Sequence, residues 1–226
     1  MRRTPFISLG DFEAVADLRE DMVESMSLGS AQIVHLDFKV LTAQSKWQDA
    51  RKLLDELPPQ VRAAPTALYG YMIVYMFTED FQKAHEYMIK HRPYIADREH
   101  WQQEFTDRER FGCDLAGILI GAGREALGQD LLRLFIRNFE SPPSGEQSES
   151  TQSREVMVCY LLEGSFEKAL DILDRETTQG RLIDEWSHWG ALPWWKQLED
   201  NPRYITLVNR IETMLAEQRE LLSEME

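Results

Sequence analysis

The chain has 226 residues, a mass of 26.4 kDa, 43% hydrophobic and 10% aromatic content, and a formal net charge of −14. That apolar share can bury one sizeable core or one continuous seam between stacked helices, which excludes a disordered chain. A charge of this sign repels phosphate backbones and anionic lipid, so direct nucleic-acid and membrane-surface binding are disfavoured and a basic or neutral partner is expected.

Residues 1–29 read as an irregular lead, Met1 to Gly10, and a cap helix that Asp11 starts, with Phe12, Val15, Met22 and Met26 on one face as far as Gly29. Ser30 caps the next helix. Ser45-Lys46 then turn the chain into a helix from Trp47 to Leu57, which Pro58-Pro59 stop. Pro65 suits a first helical position; that helix runs to about Phe77, turns at Thr78-Glu79-Asp80, and descends to Arg92 before Pro93. No proline interrupts Asp97 to Ile120, and Trp101, Phe105, Phe111, Leu115 and Leu119 predict one long or slightly broken helix there. Ser141 to Ser153 lacks any large apolar residue and reads as a flexible loop. The same pattern resumes beyond it, so one domain over 1–226 is expected.

Tyr75, Phe81, Ala84 and Met88 stand at offsets of six, three and four, which is the contact set of an antiparallel helix pair with the small residue at the crossing. The same offsets return as Leu41, Trp47, Ala50 and Leu54, and as Tyr160, Phe166, Ala169 and Leu173. A looser copy aligns through Leu119, Gly123 as the turn and Gly128 as the small residue, with Glu125 in the aromatic place. Trp47 and Phe81 are 34 residues apart, and the pattern resembles the tetratricopeptide repeat. The resemblance covers about 30–180. It implies an all-α, tetratricopeptide-like α-solenoid of stacked antiparallel helix pairs: a cap helix over 1–29, about four repeats over 30–180, and a capping segment with a long terminal helix over 181–226. The plainer alternative is that any helical hairpin needs a small residue at its crossing.

Four of the six tryptophans, Trp186, Trp189, Trp194 and Trp195, lie near the C-terminus, where they would cover the last exposed seam. Leu198, Asn201-Pro202-Arg203 and Tyr204 resemble the closing segment of tetratricopeptide arrays attached to bacterial winged-helix regulators and nucleotide cyclases, with Asn where Asp is usual. That resemblance implies the sensor or partner-binding part of a larger protein. In the terminal helix, Leu207, Ile211, Met214, Gln218, Leu221 and Met225 advance in heptad steps, with Val208, Leu215 and Leu222 beside them. Its second half is expected either to fray or pack within the chain, or to form a homodimer.

Little in the sequence carries chemistry. Cys113 and Cys159 form no CxxC pair and are expected as small buried fillers. The five histidines make no HExxH, so no metal or cofactor is expected. Gly121 to Gly128 lacks the GK[ST] of a phosphate loop and follows a helix, which makes it a hairpin turn. No catalytic carboxylate pair can be chosen, and an enzyme is not expected. No apolar core of signal-peptide length lies near Met1 and no run approaches 18 apolar residues, so a cytoplasmic location is expected.

The repeat resemblance implies groove positions nine, six and two residues before Leu41, Tyr75, Leu119 and Tyr160, and one and two after. These include Gln32, His35, Lys39 and Thr42, then Tyr69, Ile73, Met76 and Phe77. Arg110, Cys113 and Ile120 follow, then Arg154, Val158 and Leu161. An apolar patch flanked by Lys39, Arg110 and Arg154 would take a peptide or small amphiphile with an acidic end. Plain core is the alternative for Ile73, Met76 and Phe77. The expected function is a non-catalytic protein- or peptide-binding scaffold; the alternative is a ligand-sensing domain regulating a transcription factor or nucleotide cyclase.

Overall fold

The computed structural model describes residues 12–25, 31–62, 65–101, 112–140, 149–180, 186 and 190–224, and among them every regular element is a helix and none is a strand. The helices are α1 (Phe12–Ser25), α2 (Ala31–Ala43), α3 (Trp47–Asp55), the single turn α4 (Pro59–Arg62), α5 (Pro65–Phe77) and α6 (Phe81–His91). Then come α7 (Gly112–Gly121), α8 (Glu125–Glu140), α9 (Glu149–Glu163), α10 (Phe166–Thr178) and α11 (Pro202–Ser223), with 3₁₀ turns at Pro93–Ala96, Arg98–His100 and Pro193–Leu198. No helix among the described residues is long and apolar enough to cross a membrane.

One turn is used four times. Ser45, Glu79, Gly123 and Gly164 adopt left-handed φ angles of 56°, 55°, 73° and 84°. The residue after each donates its N–H back across the turn: Lys46 to Leu41 O at 2.8 Å, Asp80 to Tyr75 O at 2.9 Å, Arg124 to Leu119 O at 2.8 Å and Ser165 to Tyr160 O at 2.9 Å. This closure satisfies orphan carbonyls at a helix end and reverses the chain. The four acceptors are the residues that spacing placed at equivalent positions, so the loosely matching copy shares the turn of the other three. Ala50, Ala84 and Ala169 are fully buried in their helices. Gly128 takes the same place in α8, so close to α7 that a Cβ there would stand 2.8 Å from Ala116 O.

The chain divides into two compact units, the first comprising Met1–Val74, Leu182–Leu192 and Val208–Glu226. Val15 and Met22 of α1 meet Ile33 and Leu36 of α2 in its core, with Leu18, Val23, Val40 and Ala43 packed around them. Arg19 clamps this pair from the side: its Nε donates to Asp37 Oδ1 at 2.6 Å and its Nη2 to Oδ2 at 3.0 Å, a two-pronged, charge-assisted contact. The methyls of Leu54 in α3 stand 3.2 Å from where a Cβ on Gly70 would lie, so α5 approaches α3 because Gly70 has none. Beside this contact Tyr71 OH donates to Asp55 Oδ1 at 2.7 Å.

The second unit comprises Tyr75–Arg181 and Pro193–Leu207. Here α7 lies against α6, α8 and α9, and α9 also packs on α8 and α10. The sequence of α7, GCDLAGILIG, is apolar almost all round, and it is buried over its whole length from Gly112 to Leu119. Trp194, Trp195 and Leu198 bury themselves in this unit from the last 3₁₀ turn, which packs on α9. Asn201 then caps α11, its Oδ1 accepting from Arg203 N at 2.9 Å and Tyr204 N at 3.2 Å, with Pro202 at the first helical position. Arg203 reaches Glu167 at 2.8 Å and Asp171 at 2.6 Å on α10, and the Tyr204 ring stacks on Trp195 with centroids 5.1 Å apart.

Three expectations change. Cys113 and Cys159 are not independent fillers: a disulfide joins them, with Cα atoms 5.1 Å apart, because α7 and α9 become neighbours across the intervening α8. The loop expected over Ser141 to Ser153 is helical from Glu149, since α9 is anchored by its buried stretch from Met157 to Leu161 and propagates back from it. The helix expected from Asp97 opens with a 3₁₀ turn at Arg98–His100; Trp101 is helical, and 102–111 lie outside the described residues. Phe105, Phe111, Met26, Gly29, Ser30, Trp189 and all of 1–11 lie outside the described residues.

Candidate binding cleft

The predicted groove positions divide by burial. Gln32 and His35 of α2 are exposed, Lys39 is half-buried, and Thr42 is buried with its Oγ1 donating to Lys39 O at 3.0 Å. On α5, Tyr69 and Phe77 are half-buried, whereas Ile73 and Met76, at 2% and 1% exposure, are core. Cys113, Val158 and Leu161 are core as well, and Ile120 is half-buried. Arg110 lies outside the described residues, and of Arg154 only its place in α9 is described. The helices α5 and α7 are apolar on too many sides to leave a wholly wet face, and six of the twelve positions whose burial is described are buried.

In the second unit the chain itself covers that face. Gly117 and Gly121, two residues either side of Leu119, are groove positions by the same offsets. A Cβ on Gly117 would fall 2.5 Å from the Trp194 ring, and one on Gly121 2.5 Å from the Phe81 ring. Those two rings stack on each other with centroids 5.6 Å apart and planes at 19°. Trp194 Nε1 donates to the buried Asp114 Oδ1 at 3.2 Å, and Lys196 pairs with Glu79 at the rim.

The terminal helix also uses its seam internally. Leu207 and Ile211, two of the candidate self-association positions, are buried together with Leu215, so the first half of the seam is taken up within the chain. Met214 is half-buried, Leu221 is 61% exposed, and Met225 lies outside the described residues.

Open space lies elsewhere in the second unit, in a cleft of about 590 Å³ along α8. Asp130, Arg133, Arg137 and Glu140 follow one another at three, four and three residues, which aligns them on one face of α8 over about 15 Å. Leu134, Ile136 and Trp101 line it with apolar surface, and Trp101 is held by its Nε1 donating to Ile95 O at 3.2 Å. Arg98 from the 3₁₀ turn and Glu163 from the end of α9 complete the wall.

The two ends differ in charge. At one, Asp130 is shared by two guanidiniums, Arg98 at 2.5 Å and Arg133, leaving a positive excess. At the other, Glu140 Oε1 accepts from Lys168 Nζ at 3.1 Å and from Tyr160 OH at 3.1 Å, while the ammonium sits 4.7 Å above the Tyr160 ring. The Lys168 and Tyr160 hydrogen bonds hold the Glu140 carboxyl below its usual range, and burial followed by Glu140 pushes the Tyr160 hydroxyl up. Glu163, which accepts from Ser165 Oγ at 2.7 Å, adds a second carboxylate there. Arg137 stands between the ends, exposed, and no ion pair or hydrogen bond engages it among the described residues.

Sequence reasoning did not find this cleft. The charge stripe on α8 was readable from spacing, but Arg98 and Glu163 come from other elements and no local pattern joins them to it. Among the described residues no group of three His, Cys, Asp or Glu is placed to hold a metal. Comparison with protein-family models, with curated proteins and with solved structures finds no match to this chain.

Proposed function

We propose that the four hairpins α2/α3, α5/α6, α7/α8 and α9/α10 are copies of one tetratricopeptide-like unit, and that the chain is a non-catalytic scaffold binding a peptide segment of a partner protein. The cleft along α8 carries this reading. Its volume of about 590 Å³ falls in the range of ligand sites, roughly 300–1,000 Å³, and it combines an apolar floor with a few fixed charges. A floor of that kind holds side chains without reference to their sequence, and the guanidiniums give direction and selectivity.

The reading is tested by selecting peptides from a random phage-displayed library on the full chain and measuring their affinity for the Arg133→Glu, Arg137→Glu double variant. Both side chains are exposed, so the fold should survive. A loss of about tenfold or more is expected for peptides that use the cleft. Selected peptides that bind the variant as tightly as the parent would remove the cleft from consideration.

A further inference from the structure

We infer that the cleft along α8 reads a mixed-charge peptide, with an acidic side chain at the Arg98/Arg133 end and a basic one at the Glu140/Glu163 end, two apolar residues lying between them. The inference rests on the scaffold reading and adds a ligand class to it.

Charge complementarity carries it. The lining is neither basic nor acidic as a whole, since Arg98, Arg133 and Arg137 face Asp130, Glu140 and Glu163. These charges are segregated, however. Asp130 lies between two guanidiniums and is neutralised by them, so that end accepts one more carboxylate. At the far end one ammonium, Lys168, pairs with Glu140 and also feels the charge of Glu163, so two carboxylates face one cation and the end can receive another. A peptide of uniform charge would satisfy one end and be repelled at the other, and repulsion between groups this close to a low-dielectric floor is felt more than in water.

Geometry sets the spacing. From Arg133 to Glu140 is seven residues of helix, or about 10 Å of rise, which a peptide in the polyproline II conformation covers in three residues at about 3.1 Å each, returning to the same face. The acid and the base therefore stand three positions apart. Leu134 and Ile136, which fall between Arg133 and Glu140 on α8, and Trp101 give the apolar lining for the two residues between. Arg137 is placed at the middle of this span, where its guanidinium, engaged by no ion pair or hydrogen bond among the described residues, can donate to the peptide backbone carbonyls.

The test uses three fluorescein-labelled octapeptides: one with a glutamate and a lysine separated by two leucines, one with lysine at both places, and one with glutamate at both. Polarisation titrations of the full chain at low salt should show the mixed peptide binding at least about tenfold more tightly than either uniform one. Glu163→Lys should reverse the order in favour of the all-glutamate peptide, and Arg133→Glu in favour of the all-lysine peptide. Both residues are exposed, and identical helical circular dichroism would show the variants folded. Equal affinities for the three peptides, or an order that neither variant moves, would overturn the inference. Should the mixed peptide fail while library-selected peptides of another charge pattern still need Arg133 and Arg137, the inference falls and the scaffold reading stands; should no peptide depend on the cleft, both fall.

Discussion

Trp194 Nε1 donates to Asp114 Oδ1 across 3.2 Å of space and 80 residues of chain, joining the last 3₁₀ turn to a helix it has no local reason to meet. Burial pushes the Asp114 carboxyl up to about 6, and the indole hydrogen bond, which favours the carboxylate, offsets this only in part. Because the folded value lies above the unfolded one of about 4, the protonated group favours the fold. Its contribution is fully present below pH 4 and is lost as pH rises through 6.

Asp114→Asn keeps an acceptor for Trp194 and removes the charge. Denaturant unfolding of the variant beside the parent should therefore show a difference near zero at pH 4 that grows to about 2–3 kcal/mol in favour of the variant by pH 7.5. Parallel stability curves across that range would show that Asp114 is not held in this state.

The hairpin crossings give a second expectation. Ala84 is fully buried, and a Cβ on Gly128 would stand 2.8 Å from the backbone oxygen of Ala116, which cannot move aside as a side chain can. Ala84→Leu and Gly128→Ala should each cost about 1–3 kcal/mol by overpacking. Calorimetry checks both; an unchanged melting temperature for either would place its crossing elsewhere.

Left-handed turns supply a pair of opposite sign. Ser45 holds a φ of 56° with a side chain that disfavours it, while Gly164 holds 84° with no atom within 4 Å of where a Cβ would go. Ser45→Gly should raise stability by up to about 1 kcal/mol, and Gly164→Ala should lower it by about as much through backbone strain alone. Urea midpoints that shift in the same direction for both variants would contradict the shared turn.

The Cys113–Cys159 bridge closes a loop of 46 residues. Chain-entropy reasoning gives it up to about 4 kcal/mol of stability. The Cys113→Ala, Cys159→Ala double variant should unfold at correspondingly lower denaturant, and the parent should show no alkylatable thiol until it is unfolded and reduced. Two thiols titrating in the native chain would mean the bridge is absent.

Much of the local structure was legible because it is decided within a few residues. Pro65 and Pro202 start helices where the fixed φ allows, Asn201 caps, Gly123 and Gly164 turn, and Ala50, Ala84 and Ala169 mark crossings, each by geometry that reaches no further than the next turn of chain. The groove was not legible in this way. Offsets along one helix give a face but not its neighbour, and Ile73, Met76 and Phe77 read equally well as lining or core.

From the sequence alone come the all-helical class, the hairpin turns and small-residue crossings, and the cap of the last helix, since backbone hydrogen bonding and side-chain volume act over three to five residues. Only the tertiary structure decided that Trp194 would stand on Gly117, that Cys113 would meet Cys159, and that Arg98 and Glu163 would close a cleft around the charged stripe of α8. Each of these joins residues far apart in the chain, and which distant surface covers an apolar helix is set by the packing of whole elements, which local periodicity does not encode.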